Sequence, residues 1–213
     1  MEINLSENKH RFIELLRAKV QREGVNKLIA WLDREDFFTA PASTQYHLAV
    51  EGGLCQHSLN VYNEMMEMAN LYYPANAQGV RNGVDMESPT AFDDETIAIV
   101  SLLHDICKVA CYKKGTRNVK NEQTGRWEAI EVWKWDEQFK FGHGAKSVFI
   151  IQQFMRLNML EAQAIRYHMA GKDDALSDSY DRQYAEVFDI NPVAVLVALA
   201  DTAATFLTES CGI

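Results

Sequence analysis

Residues 101–108 read Ser-Leu-Leu-His-Asp-Ile-Cys-Lys, and the pair His104-Asp105 within them decides how the rest of the chain is interpreted. The apolar residues before the pair predict a buried helix that begins at Asp93 or Asp94 and carries the pair well inside it. Histidine and aspartate are costly to bury unless their polar atoms find partners. Neighbouring helical positions are about 100° apart, so the two side chains would reach different sides of a metal cluster over the helix. The pair therefore predicts the middle of a metal site.

Four further stretches of the chain carry ligands of the same kind. The chain has six histidines, and four of them fall in these stretches or in the central pair. Asp201 follows the apolar run 193–200, where an unpaired carboxylate would be costly to bury and a cationic partner removes the cost. In chain order the predicted metal ligands are His57, His104, Asp105, His143, His168 and Asp201.

The types of ligand indicate which metals and which chemistry the site would serve. Imidazole and carboxylate suit divalent metal ions. The four cysteines lack both a CxxC pair and zinc-finger spacing, and the absence of thiolate ligands argues against a structural zinc knot. Six ligands are more than one tetrahedral ion needs, which favours two divalent ions (Mn, Fe, Co, Ni, Zn or Mg) bridged by Asp105. Two ions about 3.5 to 4 Å apart activate a bridging water and clamp the oxygens on phosphorus. This chemistry predicts phosphoester hydrolysis through a metal-activated hydroxide.

Two further side chains are candidates for binding the substrate. Lys146 lies at a predicted helix N-terminus after Gly142-His143-Gly144, where anions are favoured, and a solvated surface lysine is the alternative. His47 stands close enough to His57 in sequence to contact the substrate or support a ligand.

Length and composition indicate one globular domain. The chain has 213 residues, 47% of them hydrophobic, which is enough for a single hydrophobic core. We expect N-terminal helices over residues 1–44 and a metal-binding helical core over residues 45–207. The net charge of −9 disfavours autonomous binding to nucleic acid, although a local basic groove remains compatible with it. The N-terminus lacks signal-peptide features and no apolar run has the length of a membrane span, so we expect a cytoplasmic protein that does not bind membranes. The oligomeric state is not encoded in any pattern.

Periodicity and capping signals predict a mainly helical chain. Apolar residues recur at the spacing of one helix face, and breaks fall at Gly, Pro and Asn clusters. The first predicted helix has its N-cap at Ser6, and the next two cover Asn26–Phe37 and Leu54–Tyr72. A fourth begins at Asp93 or Asp94. A fifth begins at a capping box of Asn158 with Glu161 and runs to His168 before Gly171, and the last covers Val193–Leu207 after Asn191-Pro192. A surface loop is predicted from Pro74 to Phe92.

One segment departs from the helical pattern. Aromatic and β-branched residues on either side of Glu122-Gln123-Thr124-Gly125 predict a small β-hairpin insertion near residues 117–135. Its residues Trp127, Trp133 and Trp135 have two interpretations. Packing of the hairpin onto the helical body is favoured because tryptophan contributes a large buried area, and a base-binding pocket is the alternative.

In its ligand order the sequence resembles the HD-domain metal-dependent phosphohydrolases over about residues 45–207. Residues 104–108 are similar to the HD-x-G-K form of the family, with Cys107 at the glycine position. This similarity implies that Lys108 would contact a substrate phosphate and neutralise its charge in the transition state; the alternative is a lysine on the helix surface. The stretches Gly52–Leu59 and Gly142-His143 look particularly like the HD domain of bacterial 3′→5′ exoribonucleases. The resemblance implies an all-α fold, an HD-domain helical bundle.

The resemblance also implies roles for individual residues. His57, His104, Asp105 and Asp201 match the defining ligands of the family, while His143 and His168 match the additional histidines of its dinuclear branch. We therefore expect an enzyme, a phosphodiesterase or phosphomonoesterase acting on a nucleotide or short oligonucleotide, with His104, Asp105 and Lys108 in the catalytic set. The alternatives are a non-catalytic, metal-stabilised nucleotide-binding module and a nuclease acting on single-stranded nucleic acid.

Overall fold

The computed structural model describes residues 3–170 and 182–209. In this part of the chain the protein is mainly helical with one small antiparallel hairpin, so the predicted fold class is confirmed. The helices are α1 (Leu5–Lys19), α2 (Val25–Arg34), α3 (Gly53–Tyr72), α4 (Asp94–Leu103), α5 (His143–Gln152), α6 (Met159–Tyr167), α7 (Arg182–Ile190) and α8 (Pro192–Ala203). The strands are β1 (Tyr112–Lys120) and β2 (Trp127–Trp135), with a 3₁₀ turn over Ile106–Lys108 and a π-helical turn over Ala204–Thr208.

Contacts among the central helices bring the parts of the site together. Helix α3 packs against both α4 and α8, and α6 packs against α8 and α5. Helix α4 is buried on all sides from Thr96 to Leu103 because its sequence is almost continuously apolar. Polar side chains at the ends of such helices face one another in the interior, where they need partners.

The helix starts follow their capping signals closely. The capping box of Asn158 with Glu161 forms at α6, and the Asn191 side chain accepts hydrogen bonds from the first turn of α8, so both predictions are confirmed. The prediction of Ser6 as the first N-cap is wrong. Asn4 caps α1 by accepting a hydrogen bond from the Glu7 N–H, which adds residues before Ser6 to the helix.

Other boundaries differ from the expectations by several residues. Helix α2 ends at Arg34, before the predicted Phe37, and α7 was not predicted. The hairpin starts at Tyr112, five residues before the predicted Arg117, because its strands continue their pairing down to Tyr112 opposite Trp135. Gly171, predicted to end a helix, lies outside the described residues.

The N-terminal helices are joined to the helical core by an ion pair in the interior. The Arg22 guanidinium donates two hydrogen bonds of 2.6 Å to the fully buried Glu161 carboxylate. Thr96 Oγ1 donates to the same carboxylate at 3.2 Å, and so does the Asn158 N–H at 2.9 Å. Three separate segments of the chain, at Arg22, Thr96 and Asn158, therefore supply the hydrogen-bond donors that this buried carboxylate requires.

The segment between α3 and α4 contains no helix, as predicted for Pro74–Phe92. It is held by the buried Arg81, whose guanidinium donates to Asp94 at 2.8 Å, to the Tyr73 carbonyl at 2.9 Å and to Asn70 at 2.9 Å. An isolated bridge pairs Arg81 with Phe92. The loop is therefore closed at its base against α3 and α4.

No single helix among residues 3–170 and 182–209 has the length and apolar character needed to cross a membrane. The required length and apolar character are met only by two segments counted together, Gln183–Ile190 and Pro192–Thr208, and the chain bends by 109° between them.

Candidate metal centre

The Asp105 carboxylate lies among four imidazoles that come from four parts of the chain. Its Oδ2 is 3.7 Å from His57 Nε2 and 3.6 Å from His104 Nε2. Its Oδ1 is 2.7 Å from His143 Nε2 and 3.6 Å from His168 Nε2. The two oxygens of one carboxylate thus face two separate pairs of imidazole nitrogens.

Asp201 completes the cluster from helix α8. Its Oδ1 is 3.1 Å from His57 Nε2. It also forms, with His104 and His168, a group whose ligand atoms lie within 4.8 Å of one another. All six residues predicted as metal ligands therefore lie in one cluster, and Asp201 has the polar partners that its position in an apolar helix requires.

The end of helix α4 explains how His104 and Asp105 reach the same space. The prediction that the pair lies well inside a helix is wrong: α4 ends at Leu103, and His104 is its C-cap. Asp105 has φ −101° and ψ 14°, in the sparsely populated bridge region that many active-site residues adopt. Because regular helix geometry stops here, the angle of about 100° between neighbours no longer separates the two side chains.

His104 and His168 are anchored in the same way, although they end different helices. Each follows the last residue of its helix, where backbone carbonyls have no partner within the helix. His104 Nδ1 lies 2.8 Å from the Ser101 carbonyl, and His168 Nδ1 lies 2.7 Å from the Ile165 carbonyl. A carbonyl only accepts hydrogen bonds, so Nδ1 carries the proton in each ring and Nε2 presents a lone pair to the cluster.

These two Nε2 atoms test whether the cluster fits a metal. Both are buried, and neither makes a hydrogen bond within the described residues. A buried nitrogen lone pair without a partner is unfavourable, and a divalent cation bound by it removes the cost. The residues present therefore fit a divalent metal centre.

Close packing between α5 and α6 brings His143 beside His168. The two ring centroids are 5.1 Å apart. Between the helices, a Cβ atom on Gly144 would lie 2.3 Å from the Arg166 carbonyl oxygen and 2.7 Å from that of Ile165. Only glycine allows this approach, which explains why a glycine follows His143.

Cys107 contacts the same histidine from the other side. Its Sγ lies 3.1 Å from His143 Nδ1, and its backbone N–H donates to Ser147 Oγ at 3.2 Å. Burial raises the pKa of the Cys107 thiol, so the sulfur is neutral. Cys55, Cys107 and Cys111 are buried and free, and Cys211 lies outside the described residues.

Glu209 is a member of the site that the sequence reasoning missed. Its Oε1 lies 2.9 Å from His57 Nδ1 and accepts a hydrogen bond of 2.9 Å from Asn60 Nδ2. Its carboxylate is almost completely buried, with only 1% of the side chain exposed, and Oε2 has no hydrogen-bond partner within the described residues. Glu209 thereby orients His57 so that Nε2 faces Asp105 and Asp201.

The π-helical turn over Ala204–Thr208 explains why Glu209 was overlooked. Asp201 and residue 208, seven positions apart, would share one face of a regular helix. A π-helical turn inserts an extra residue, which shifts the register so that Glu209 faces the site instead. An acidic residue about two turns after Asp201 was the available signal.

Charge in the cluster is distributed unevenly among the imidazoles. Burial alone would lower the pKa of His57, but hydrogen bonds with Asp201 and Glu209 raise it to about 10. Burial lowers the pKa of His104 to about 4, which keeps its imidazole neutral. Burial would also lower the pKa of His168, but its contact with Asp105 raises it.

The aspartates of the cluster remain ionised despite their burial. Burial alone would raise the pKa of Asp105, but the charge of Lys108 and the contacts with the imidazoles hold it well below its usual range. The pKa of Asp201 is lowered in the same sense, because its hydrogen bond with His57 outweighs its burial. Ionised carboxylates beside imidazoles form a site that favours a bound cation.

Lys108 lies at the edge of the cluster. Its Nζ is 2.7 Å from Asp105 Oδ2 and donates to the Ala42 carbonyl at 2.8 Å. The side chain is mostly buried, with 14% exposed, so it is not an ordinary surface lysine. A ligand that reaches Asp105 would therefore also meet the Lys108 ammonium group.

Lys146 and His47 occupy different surroundings. The buried Lys146 ammonium contacts Glu137 at 2.8 Å and Cys111 Sγ at 3.1 Å, and the described residues place none of the six predicted ligands in contact with it. His47 lies beside the cluster, with its ring centroid 5.0 Å from that of His57. Its buried Nε2 has no hydrogen-bond partner within the described residues. Of the two, His47 is the one placed next to the candidate ligands.

The tryptophans of the hairpin do not pack as expected. Trp127 is 70% exposed and Trp135 is 45% exposed, so the interpretation that they pack the hairpin onto the helical body is wrong for these two residues. The two strands pair with each other and extend from the body, which leaves most of their residues in solvent. Trp135 packs edge-on against Tyr112, with ring centroids 5.1 Å apart.

Comparison with known proteins connects this site to a family. A family model described as the HD domain matches residues 54–205, which is more than half of the chain and includes all six clustered ligands. Comparisons with curated proteins and with solved structures returned no match. The match spans the helices that carry the site, and the members of this family are in general metal-dependent phosphohydrolases. The chain therefore belongs to the HD-domain family.

Proposed function

We propose that this protein hydrolyses a phosphoester bond in a nucleotide or short oligonucleotide, with two divalent metal ions held by its histidine and aspartate cluster. The ligands would be His57, His104, Asp105, His143, His168 and Asp201. The supporting observation is the position of Asp105, whose two oxygens face separate pairs of imidazole nitrogens. A carboxylate in such a position is suited to bridging two ions, and two ions suit displacement at phosphorus.

The side chains around the cluster would bind the substrate and hold the metal ligands in position. Bound divalent metal supplies Lewis-acid activation of water and neutralises charge on the phosphoester. Lys108, next to Asp105, would neutralise a phosphate oxygen as charge develops there. His47 would contact the substrate from the side of His57. Glu209, through its contact with His57 Nδ1, would hold that ligand in place.

The metal content of the purified protein provides the first test. We expect about two divalent ions per chain, and loss of metal together with phosphoesterase activity in the variant His104→Ala with Asp105→Ala. His10→Ala is the matched control, because His10 is exposed and pairs with Glu14, which is exposed as well. Elemental analysis and hydrolysis of a generic phosphodiester measure both outcomes. Metal-free wild-type protein, together with unchanged activity of the double variant, would refute the proposal.

A substrate panel separates hydrolysis from simple binding. The panel contains nucleoside monophosphates and triphosphates, cyclic dinucleotides and short oligonucleotides, each supplied with Mn²⁺, Mg²⁺, Co²⁺ or Zn²⁺. Turnover of one class supports the proposal. Nucleotide binding without turnover under every metal would instead support the non-catalytic, metal-stabilised module.

A further inference from the structure

One face of the β1–β2 hairpin collects its aromatic residues and two lysines. In the antiparallel register Tyr112 lies opposite Trp135, Lys114 opposite Trp133, and Lys120 opposite Trp127. Residues directly opposite each other share a face of the sheet, and so do residues two apart on one strand. We call this surface the tryptophan face. Its aromatic and basic residues are Tyr112, Lys114, Lys120, Trp127, Trp133 and Trp135, and Glu131 is its one acidic residue.

The tryptophan face exposes large aromatic surfaces to solvent. Trp127 is 70% exposed and Trp135 is 45% exposed. The Lys114 ammonium lies 4.2 Å from the centre of the Trp133 ring and also pairs with the exposed Glu131 carboxylate at 2.9 Å, so this cation contacts an aromatic surface in solvent. Leaving several large aromatic surfaces in water is unfavourable, and contact with the flat face of another ring would bury them.

The charge of the hairpin indicates the chemistry of that partner. Residues 112–135 contain six Lys or Arg residues and three Glu residues, a net charge of +3 within a chain whose net charge is −9. Positive charge is therefore concentrated on this one projection. A polyanion with exposed rings complements both features, and single-stranded nucleic acid has this combination of a phosphate backbone and unpaired bases.

The tryptophan face adjoins the candidate metal centre. Tyr112 Oη donates to the Ala42 carbonyl at 3.0 Å, and Lys108 Nζ donates to the same carbonyl at 2.8 Å. Lys108 Nζ is in turn 2.7 Å from Asp105 Oδ2. Two hydrogen bonds to one oxygen thus connect the inner end of the face to a residue in contact with the cluster.

We propose that the tryptophan face is a stacking platform for the bases of a single-stranded oligonucleotide, which it holds with one end at the metal centre. The inference deepens the proposed function by naming the substrate class, and it rests on that function for the cleavage step. Stacking on Trp127 and Trp135 supplies affinity that tolerates any base. Lys114, Lys120 and neighbouring cations compensate the phosphates.

The binding test uses the full-length, metal-loaded protein. Fluorescein-labelled single-stranded DNA and RNA of about 12 nucleotides, with phosphorothioate linkages to slow hydrolysis, are titrated with protein and followed by anisotropy. We expect Trp127→Ala and Trp135→Ala each to raise Kd about tenfold, since the stacking of one base is worth about 1–3 kcal/mol. Ile130→Ala is the matched control, because Ile130 lies opposite Arg117 on the other face of the same hairpin and is 38% exposed. This control should leave Kd unchanged.

Two further ligands separate stacking from charge. An abasic oligomer of the same length keeps the phosphates and loses the rings, so it should bind at least tenfold more weakly. Duplex DNA hides its rings and should also bind more weakly. Equal affinity for the abasic or duplex ligand, no measurable binding at low salt, or equal losses for Ile130→Ala and Trp127→Ala would each overturn the platform.

Failure of the platform and failure of the proposed function give different results. Hydrolysis of mononucleotides without oligonucleotide binding would overturn the platform and leave phosphohydrolysis intact. Tryptophan-dependent binding without hydrolysis under any metal would support the platform and refute hydrolysis at the cluster. Preference between the DNA and RNA ligands in the same titration identifies which nucleic acid the platform holds.

Discussion

Glu209 illustrates how a single residue outside the six candidate ligands controls the site, because it orients the ligand His57. The Glu209 carboxylate meets His57 Nδ1 at 2.9 Å, so the opposite nitrogen is directed at Asp105 and Asp201. His104 and His168 achieve the same orientation through backbone carbonyls. His57 lies inside a helix, where backbone carbonyls are already used, and therefore requires a side chain for this purpose.

Replacement of Glu209 should weaken metal binding without removing a ligand. We expect Glu209→Ala to lower metal affinity about tenfold to a hundredfold, the usual effect of losing the group that orients a metal-bound histidine. Competition with a coloured chelator measures the affinity. Glu14→Ala, which removes an exposed glutamate beside His10, is the control. Equal affinities of Glu209→Ala and wild-type protein would show that Glu209 does not orient His57.

Helix ends supply most of the ligands of the candidate metal centre, and His57 of α3 is the exception. His104 and His168 are C-caps, His143 is the first residue of α5, and Asp201 lies in the last turn of α8. The close crossing of α5 and α6 at Gly144 determines how near His143 comes to His168. The spacing of the ligands therefore depends on how the helices pack.

Substitution of Gly144 should disturb this crossing. In Gly144→Ala the new methyl group would meet backbone oxygens of α6 at 2.3 and 2.7 Å, and backbone atoms yield less readily than a flexible side chain. We expect a loss of about 1–3 kcal/mol in the free energy of unfolding, together with weaker metal binding. Urea unfolding and chelator competition measure the two effects.

Gly115→Ala provides the control for that substitution. The three atoms nearest to its methyl group would all belong to the flexible Lys134 side chain, which can move aside. Stability of Gly144→Ala equal to that of this control would show that the crossing of α5 and α6 tolerates a larger residue.

The sequence predicts elements well where local chemistry determines them. The Asn158–Glu161 capping box and the Asn191-Pro192 start depend on neighbouring residues and form as expected. The end of α4 at Leu103 could not be predicted in this way, since residues 101–108 contain neither Gly nor Pro. The turn that follows is hydrogen-bonded to the distant Ser147 and Ala42. The ligands were identifiable because histidine and aspartate are unusual in apolar helices, whereas Glu209 depends on a π-helical turn without a local signature.

At the scale of the whole molecule, ion pairs connect segments that are far apart in sequence. Asp94, the first residue of α4, pairs with Arg81 at 2.8 Å and with Lys19 of α1 at 3.2 Å. Burial alone would raise the pKa of Asp94, but these two cations lower it below its ordinary value of 3.8. The unfolded chain therefore binds this proton more readily than the folded protein.

The pH dependence of stability should report this contact. Because the pKa of Asp94 is lower in the folded state, its contribution is fully present above about pH 3.8 and is lost as the pH falls below that value. Wild-type protein should exceed Asp94→Asn in stability near pH 7, and the difference should shrink toward about pH 3. Urea unfolding across this range measures it, with the exposed Glu51→Gln as control. A difference that stays constant with pH would contradict the prediction.

The ion pair between Arg22 and Glu161 ties the stability of the region matched by the family to residues that precede it. The region matched by the family begins at residue 54, yet the Glu161 carboxylate inside it depends on a guanidinium from the segment before α2. A fragment cut down to the matched region would lose this counter-ion together with the core residues Phe12, Leu16, Leu28 and Leu32 of α1 and α2, and would expose the core that they cover. Gene fusions or truncations that respect only the matched boundaries would therefore yield an unstable product, and the transferable unit includes the N-terminal helices.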